Sequence, residues 1–198
     1  MKRLHGLVLA GGRSRRMQAD KAALSYGRRS QLAEAFDLVA AVTDSTWISV
    51  RAEQADEAIR ARFPQVIDGR LGEGPIAGIV AAQQQHPDAA WLVLACDLPF
   101  LDAATLAELI AGRDPARLAT AFRSATDGLP EPLCAIYEPA SREPILDYIA
   151  GGAACPRKFL LAHDVRLLDA ANARALGNAN TPQDLDAARM ALAARGTA

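Results

Sequence analysis

Three short runs are apolar at largely successive rather than alternate positions: Leu4–Ala10, Thr46–Val50 and Trp91–Cys96. Runs of this kind read as strands of a parallel sheet covered on both faces. The stretches between them carry helical spacing. Leu32, Ala35, Phe36 and Val39 fall on one face of a helix over Gln31–Val42, and Gln54–Arg62 and Ile76–Gln85 have a similar pattern. Strand and helix alternating at this rhythm predict an α/β fold with right-handed crossovers. Further strands are expected over Val66–Asp68, Leu118–Phe122, Leu133–Tyr137 and Val165–Leu168. Further helices are expected over Ala103–Ala111 and over Glu143–Ala150, the latter stopped by Gly151-Gly152. Thr181-Pro182-Gln183-Asp184 starts a last helix: Thr at the cap, Pro at the first helical position, an acid in the first turn. No repeat, low-complexity block or long linker interrupts the pattern.

Composition qualifies the core. Apolar residues make up 51% of the 198 positions, but 43 of them are alanine. Leu, Ile, Val and Phe together reach about 23%, above the ~20% below which a chain stays disordered. The core is therefore expected to be thin and helix-rich. No apolar run approaches the ~18 residues of a membrane helix, and Leu7–Ala10 is too short for the core of a signal peptide. A net charge of −1 argues against non-specific nucleic-acid binding. Cys96, Cys134 and Cys155 are odd in number and form no CxxC pair, which fits a reduced cytoplasm better than a zinc site or a disulfide scaffold. His5, His86 and His163 lie too far apart in sequence to suggest a metal cluster.

The charge is unevenly spread. Lys2, Arg3, Arg13, Arg15, Arg16 and Lys21 gather positive charge near the first strand. That strand ends in Leu9-Ala10-Gly11-Gly12, and the arginines and Lys21 follow. Glycines let a backbone approach a ligand closely and aim several N–H groups at it. With four cations around it, the turn is a cradle for phosphates. It matches neither the GxxxxGK[ST] of P-loop NTPases nor the GxGxxG of dinucleotide folds.

Three other segments carry chemistry. Asp68 precedes Gly72-Glu73-Gly74-Pro75-Ile76-Ala77-Gly78, a glycine-rich loop opening a helix, which reads either as a Pro-started helix or as a wall passing close to a flat ligand. Asp97 follows the strand Trp91–Cys96, and Leu98-Pro99 turns the chain at once, so one carboxylate stands at the carboxyl end of a strand, where open α/β sheets bind ligands. Beside a triphosphate it suits Mg²⁺, which takes one or two carboxylates plus phosphate oxygens. Asp102 fits a helix cap better, and Cys96 reads as packing. Asn178 and Asn180, two residues apart, face the same way on an extended segment and offer amides to a ligand, or form an Asx turn before the capped helix.

Leu9-Ala-Gly-Gly-x-Ser-x-Arg-Met17 with Asp20-Lys21, the Gly74-Pro-Ile-Ala-Gly78 segment, Cys96-Asp-Leu-Pro99 and Asn178-Ala-Asn-Thr-Pro-Gln-Asp184 resemble the molybdenum cofactor guanylyltransferases of the nucleotidyltransferase superfamily. The resemblance implies a Rossmann-like three-layer α/β/α sandwich with a mostly parallel central sheet, of the nucleotide-diphospho-sugar transferase type. It implies one domain over 1–198, with a nucleotide-binding half over about 1–100 and an acceptor-binding half beyond. It implies a nucleotide site of Leu9, Ala10, Gly11, Gly12, Lys21, Asp68, Gly78 and Asp97, with Lys21, Arg16 and Asp97 catalytic and Asp97 holding Mg²⁺. Asn178 and Asn180 lie on the acceptor side. Pro156-Arg157-Lys158 reads as an exposed basic turn or as a contact of Arg157 and Lys158 with the acceptor phosphate, and Glu131 and Tyr137 belong to the same neighbourhood. The implied reaction passes GMP from GTP to molybdopterin, with a molybdoenzyme or its chaperone as a further partner. Two departures stand out: Gln18 occupies the usual glycine position after Met17, and Arg51-Ala52-Glu53 stands where the family often offers the base an asparagine. The rival readings are a cytidylyltransferase or another NTP-dependent nucleotidyltransferase, and a non-catalytic nucleotide-binding module. Gly11 and Ala77-Gly78 favour guanine, because the related cytidylyltransferases show Leu-Ala-Ala-Gly in the first motif.

Overall fold

A computed structural model describes residues 3–11, 29–69 and 71–177. Seven strands form one sheet: β1 (Leu4–Leu9), β2 (Ser45–Val50), β3 (Gln65–Ile67), β4 (Ala90–Ala95), β5 (Ala119–Arg123), β6 (Pro130–Tyr137) and β7 (Arg166–Asp169). Their order is β3-β2-β1-β4-β6-β5-β7. Strands β1 to β4 pair in parallel, β6 runs antiparallel to both β4 and β5, and β7 is parallel to β5. Six strands thus point one way, and β6 is reversed. The carboxyl ends of the six and the start of β6 share one edge of the sheet.

Helices α1 (Gln31–Ala40), α2 (Pro75–Gln85), α3 (Ala103–Ala111), α4 (Arg142–Ala150) and α5 (Pro156–Ala162) cover the two faces. One core cluster joins Leu32 and Val39 of α1 and Leu106 and Leu109 of α3 to Val8, Ile48, Leu92 and Leu94. The other joins Ile76, Ile79 and Val80 of α2, Ile145 of α4 and Phe159 and Leu160 of α5 to Leu7, Trp91 and Val93. Alternate residues of β4 therefore enter different cores, which is why this strand is apolar at every position. Helix α2 is buried from Ile76 to Gln83, and its alanines let it lie close to the sheet.

Local signals explain the helix starts. Ser30 caps α1 by accepting from the Ala33 N–H, and Asp102 caps α3 by accepting from the Thr105 N–H at 2.8 Å. Gly74, at φ +64°, precedes Pro75 at the start of α2, a backbone conformation that glycine adopts without strain.

Two segments differ from the sequence expectation. Gln54–Arg62 is no α-helix. A single 3₁₀ turn, Ala52–Gln54, leads into a chain of turns in which the Glu57 N–H donates to Gln54 and the Arg60 N–H to Glu57. The Gln65 side chain meanwhile donates to the carbonyls of Ala55 and Arg60, competing with a regular helical ladder. Residues 156–158 are no surface turn but the start of α5, which buries Pro156, Phe159 and Leu160. Strand β6 also begins earlier than expected. Pro130 and Pro132 fit because β4 pairs only with Cys134–Tyr137, so they lie beyond its end, where no ladder bond to β4 is required.

Candidate active site

Two cavities open at the shared edge of the sheet. The first, of about 530 Å³, lies over the ends of β1, β2 and β3 and is lined by Gly11, Arg51–Glu53, Asp68, Gly69, Gly72–Gly74 and Ala77. Its carboxylate is built with care. The Asp68 N–H donates to the Val50 carbonyl at 2.7 Å, which continues the β2–β3 ladder, and the Ser49 hydroxyl donates to Asp68 Oδ1. Burial raises the Asp68 pKa above the usual carboxylate value, while the Ser49 hydrogen bond and Arg51 oppose that shift.

Glycines admit this arrangement. A Cβ on Gly11 would come within 3.2 Å of Asp68 Oδ2 and 3.3 Å of the Arg51 backbone nitrogen. A Cβ on Gly78 would stand 2.2 Å from Ser49 Oγ and 3.2 Å from Asp68 Oδ1. Gly11 thus keeps the space beside Asp68 open, whereas Gly78 is buried and lets α2 press against Ser49. The residue of that segment on the cavity wall is Ala77. Leu9 and Ala10 sit at the end of β1, and the Ala10 N–H donates to the Ser49 carbonyl at 3.0 Å.

Among the described lining residues, three acids (Glu53, Asp68 and Glu73) face one cation, Arg51. This part of the site suits hydrogen-bond donors on a base rather than phosphates. The expected phosphate ligands Gly12, Arg16 and Lys21 lie outside the described residues, as do Asn178 and Asn180.

The second cavity, of about 250 Å³, is lined by Ala95, Asp97, Leu98, Glu131–Cys134, Arg157 and Leu176. Asp97 and Arg157, far apart in sequence, meet here at the end of β4 and the first turn of α5. Arg157 is held by two acids, donating from one nitrogen to Asp127 Oδ2 and from another to Glu131 Oε2, each at 3.1 Å. Lys158 is exposed and is not part of the wall. Tyr137 is fully buried and its hydroxyl donates to the Pro132 carbonyl at 3.0 Å, so it braces β6 and is not part of the cavity wall. Cys134 is buried, and desolvation pushes its thiol up to about 12, a packing residue with no thiolate to offer; Cys96 is buried too.

The donor set fits Mg²⁺. Asp97 contributes one hard carboxylate to the lining of this cavity. Mg²⁺ commonly binds in that way, with substrate phosphates and water completing its shell.

Sequence reasoning missed Arg51 and Glu53 as wall residues, because they depart from the asparagine the resemblance leads one to expect. It also missed Arg60. This guanidinium is fully buried and donates from Nε and from a terminal nitrogen to the Ala10 carbonyl at 3.1 and 2.9 Å, bracing the chain where β1 ends. A contact between positions 50 residues apart leaves no local signal.

A seven-stranded, mostly parallel sheet thus carries two cavities on one edge, one lined by Asp68 and one by Asp97. The chain belongs to the MobA-like NTP transferase domain family, whose model matches residues 6–167. It is 35% identical to the molybdenum cofactor guanylyltransferase of Pseudomonas aeruginosa PAO1, over 89% of this chain and 90% of that one. It is 34% identical to the molybdenum cofactor biosynthesis bifunctional protein of Synechocystis over 91% of its length, and spans 52% of that longer protein. The crystal structure of molybdopterin-guanine dinucleotide biosynthesis protein A from Archaeoglobus fulgidus has the same fold, with a TM-score of 0.80 at 24% identity, over 96% of this chain and 98% of that one. Among the described residues no helix is long and apolar enough to cross a membrane.

Proposed function

We propose that the protein transfers GMP from GTP to the terminal phosphate of molybdopterin, releasing pyrophosphate and forming the guanine dinucleotide form of the cofactor. One observation carries the reading: a cavity with three acids, Glu53, Asp68 and Glu73, and a cavity joining Asp97 to Arg157 open on one sheet edge. The names of the curated relatives agree with it.

Guanine presents adjacent N1–H and N2–H donors, which the Asp68 carboxylate accepts. The turn after β1, with Gly12, Arg16 and Lys21, receives the triphosphate. Asp97 holds Mg²⁺, which when bound supplies charge neutralisation at the α-phosphate and the departing pyrophosphate. Arg157, fixed by Asp127 and Glu131, turns its remaining N–H donors to the acceptor, and Asn178 and Asn180 complete that side. Lys158 lies one residue outside the wall and adds positive charge at the approach. An oxygen of the acceptor phosphate attacks the α-phosphorus. The bond from that phosphorus to the oxygen bridging to the β-phosphate breaks, and pyrophosphate leaves with the electron pair. The attacking group is already an anion, so no general base is required, and the acceleration comes from alignment and charge stabilisation. A cytoplasmic enzyme handing its product directly to a molybdoenzyme or its chaperone suits so labile a cofactor.

The test is pyrophosphate release from GTP with and without molybdopterin. Release that requires the pterin, and falls by about a hundredfold or more in Asp97→Ala, is expected of a lost charge-stabilising contact. Pterin-independent turnover of a sugar phosphate, or undiminished turnover in Asp97→Ala, contradicts the reading.

A further inference from the structure

We infer that Arg60 is a positioning residue for the nucleotide: its buried guanidinium holds the Ala10 carbonyl and so aims the Gly11 N–H at the ligand. The inference rests on the nucleotidyl-transfer reading, which puts Gly11 against the nucleotide, and adds to it a residue outside both cavity walls.

The peptide between Ala10 and Gly11 follows β1 directly, and Gly11 forms part of the wall of the first cavity. A glycine on one side lets a peptide turn at little steric cost, so its orientation has to be fixed from outside. Both backbone groups of Ala10 are fixed. Its N–H donates to the Ser49 carbonyl at 3.0 Å, and its carbonyl accepts from Arg60 Nε at 3.1 Å and from Arg60 Nη2 at 2.9 Å. The peptide is trans and planar, so its C=O and N–H point in opposite directions. A carbonyl turned toward Arg60 therefore turns the Gly11 N–H away from it. Arg60 is 0% exposed, so the carbonyl faces the interior and the N–H faces the side on which the cavity opens.

Arg60 is itself held in place. Its Nη1 pairs with the Glu57 carboxylate, and its backbone N–H donates to the Glu57 carbonyl at 2.7 Å. Its own carbonyl accepts from the side chain of Gln65, in β3, at 2.9 Å. The brace thus runs from β3 through Arg60 to the end of β1. Among the described residues Arg60 is the one arginine of the buried core. Taking a guanidinium out of water is costly even when it is paired, and an apolar side chain would fill the same space without that cost. What an apolar side chain lacks is a pair of donors for the Ala10 carbonyl. The planar fork sets two N–H groups on one oxygen and fixes its direction, which a lysine ammonium, a point charge on a flexible stem, does less well.

The experiment measures GTP affinity by equilibrium titration and the Gly11 amide resonance by NMR, in the wild type, Arg60→Lys and Arg60→Met, beside the melting temperature of each. In the wild type, GTP should shift the Gly11 amide resonance, as a new hydrogen bond does. In Arg60→Met the affinity should fall about tenfold, the size of one lost hydrogen bond, and the shift should disappear. Arg60→Lys keeps the charge and the stem but not the fork; its affinity should fall about threefold, with the shift reduced. A merely structural role would lower the melting temperature and leave the affinity of the folded molecules and the Gly11 shift as in the wild type, and that result overturns the inference. So does a wild-type Gly11 resonance that ignores the nucleotide. A lysine variant indistinguishable from the wild type overturns it too, because the buried charge and not the fork would then be what matters. If Arg60→Met does not fold, the lysine variant decides alone. A wild type that prefers CTP to GTP would instead defeat the guanylyl reading; the same ratios are then read with CTP, and the Arg60 assignment stands or falls on them separately.

Discussion

In the proposed reaction Asp68 is the carboxylate that meets the base, and its surroundings shift its protonation. Burial raises its pKa, so protonation begins above the usual carboxylate range as pH falls. A carboxylate accepts the N–H groups of guanine, and its protonated form accepts them poorly. GTP affinity should therefore weaken on the acid side at a higher pH than an exposed aspartate would dictate. The stability sign is opposite: a raised pKa means the folded state holds the proton more tightly, so stability from this group is present at low pH and is lost as pH rises through the folded pKa. Asp68→Asn should thus leave the melting temperature at neutral pH unchanged or higher, while GTP binding falls at least tenfold and loses its acid limb. Melting curves and a pH series of binding constants measure both. The sequence pointed to Asp97 because it ends an apolar strand, and to Asp68 through the family resemblance. It could not point to Arg60 under Ala10, since that contact is made by chain segments brought together only by the fold.

Elements are positioned by a few tight contacts. Helix α2 meets β2 where Gly78 faces Ser49, and an added methyl would stand 2.2 Å from the Ser49 hydroxyl oxygen. Gly78→Ala should cost about 1–3 kcal/mol of overpacking strain, and Ser49→Ala in the same chain should recover part of it. Denaturant midpoints of the two variants and the double variant measure the coupling. At the far end of the sheet, Glu138 is 1% exposed and takes two hydrogen bonds from Arg113, at 2.6 and 2.9 Å, while its backbone carbonyl accepts from Gln83 and Ser141. These contacts tie the chain after α3 to the end of β6 and to α2. Glu138→Ala should destabilise by about 3–5 kcal/mol, because Arg113 is left buried without its charge partner. Replacing both residues with apolar ones of similar size should cost less, and chemical unfolding compares the two. Strand positions were legible because a strand covered on both faces is apolar throughout. The turns over residues 55–62 were misread as a helix because alanines at helical spacing carry no record of a glutamine at 65 competing for the carbonyls.

At the scale of the whole molecule, one reversed strand does much of the work of assembling the site. Because β6 runs against β4 and β5, its first residues, Pro130 to Leu133, arrive at the edge where the other six strands end. Glu131 is thus delivered to Arg157 and both to the cavity that holds Asp97. Hydrophobic patterning foresaw an α/β fold with parallel strands, and the resemblance implied the three-layer sandwich, but neither the strand order nor the direction of β6 is written in local periodicity. The near-zero net charge conceals how unevenly charge is spread: Arg13, Arg15, Arg16 and Lys21 cluster in sequence, while Glu53, Asp68 and Glu73 line one cavity. The central claim is that this edge joins GTP to a pterin phosphate. Its most direct measurement is mass spectrometry of the products formed when the protein is mixed with molybdopterin, Mg²⁺ and equal concentrations of GTP and CTP. The account predicts the guanine dinucleotide and pyrophosphate, with little cytosine product; a cytosine dinucleotide as the main product, or no dinucleotide at all, would contradict it.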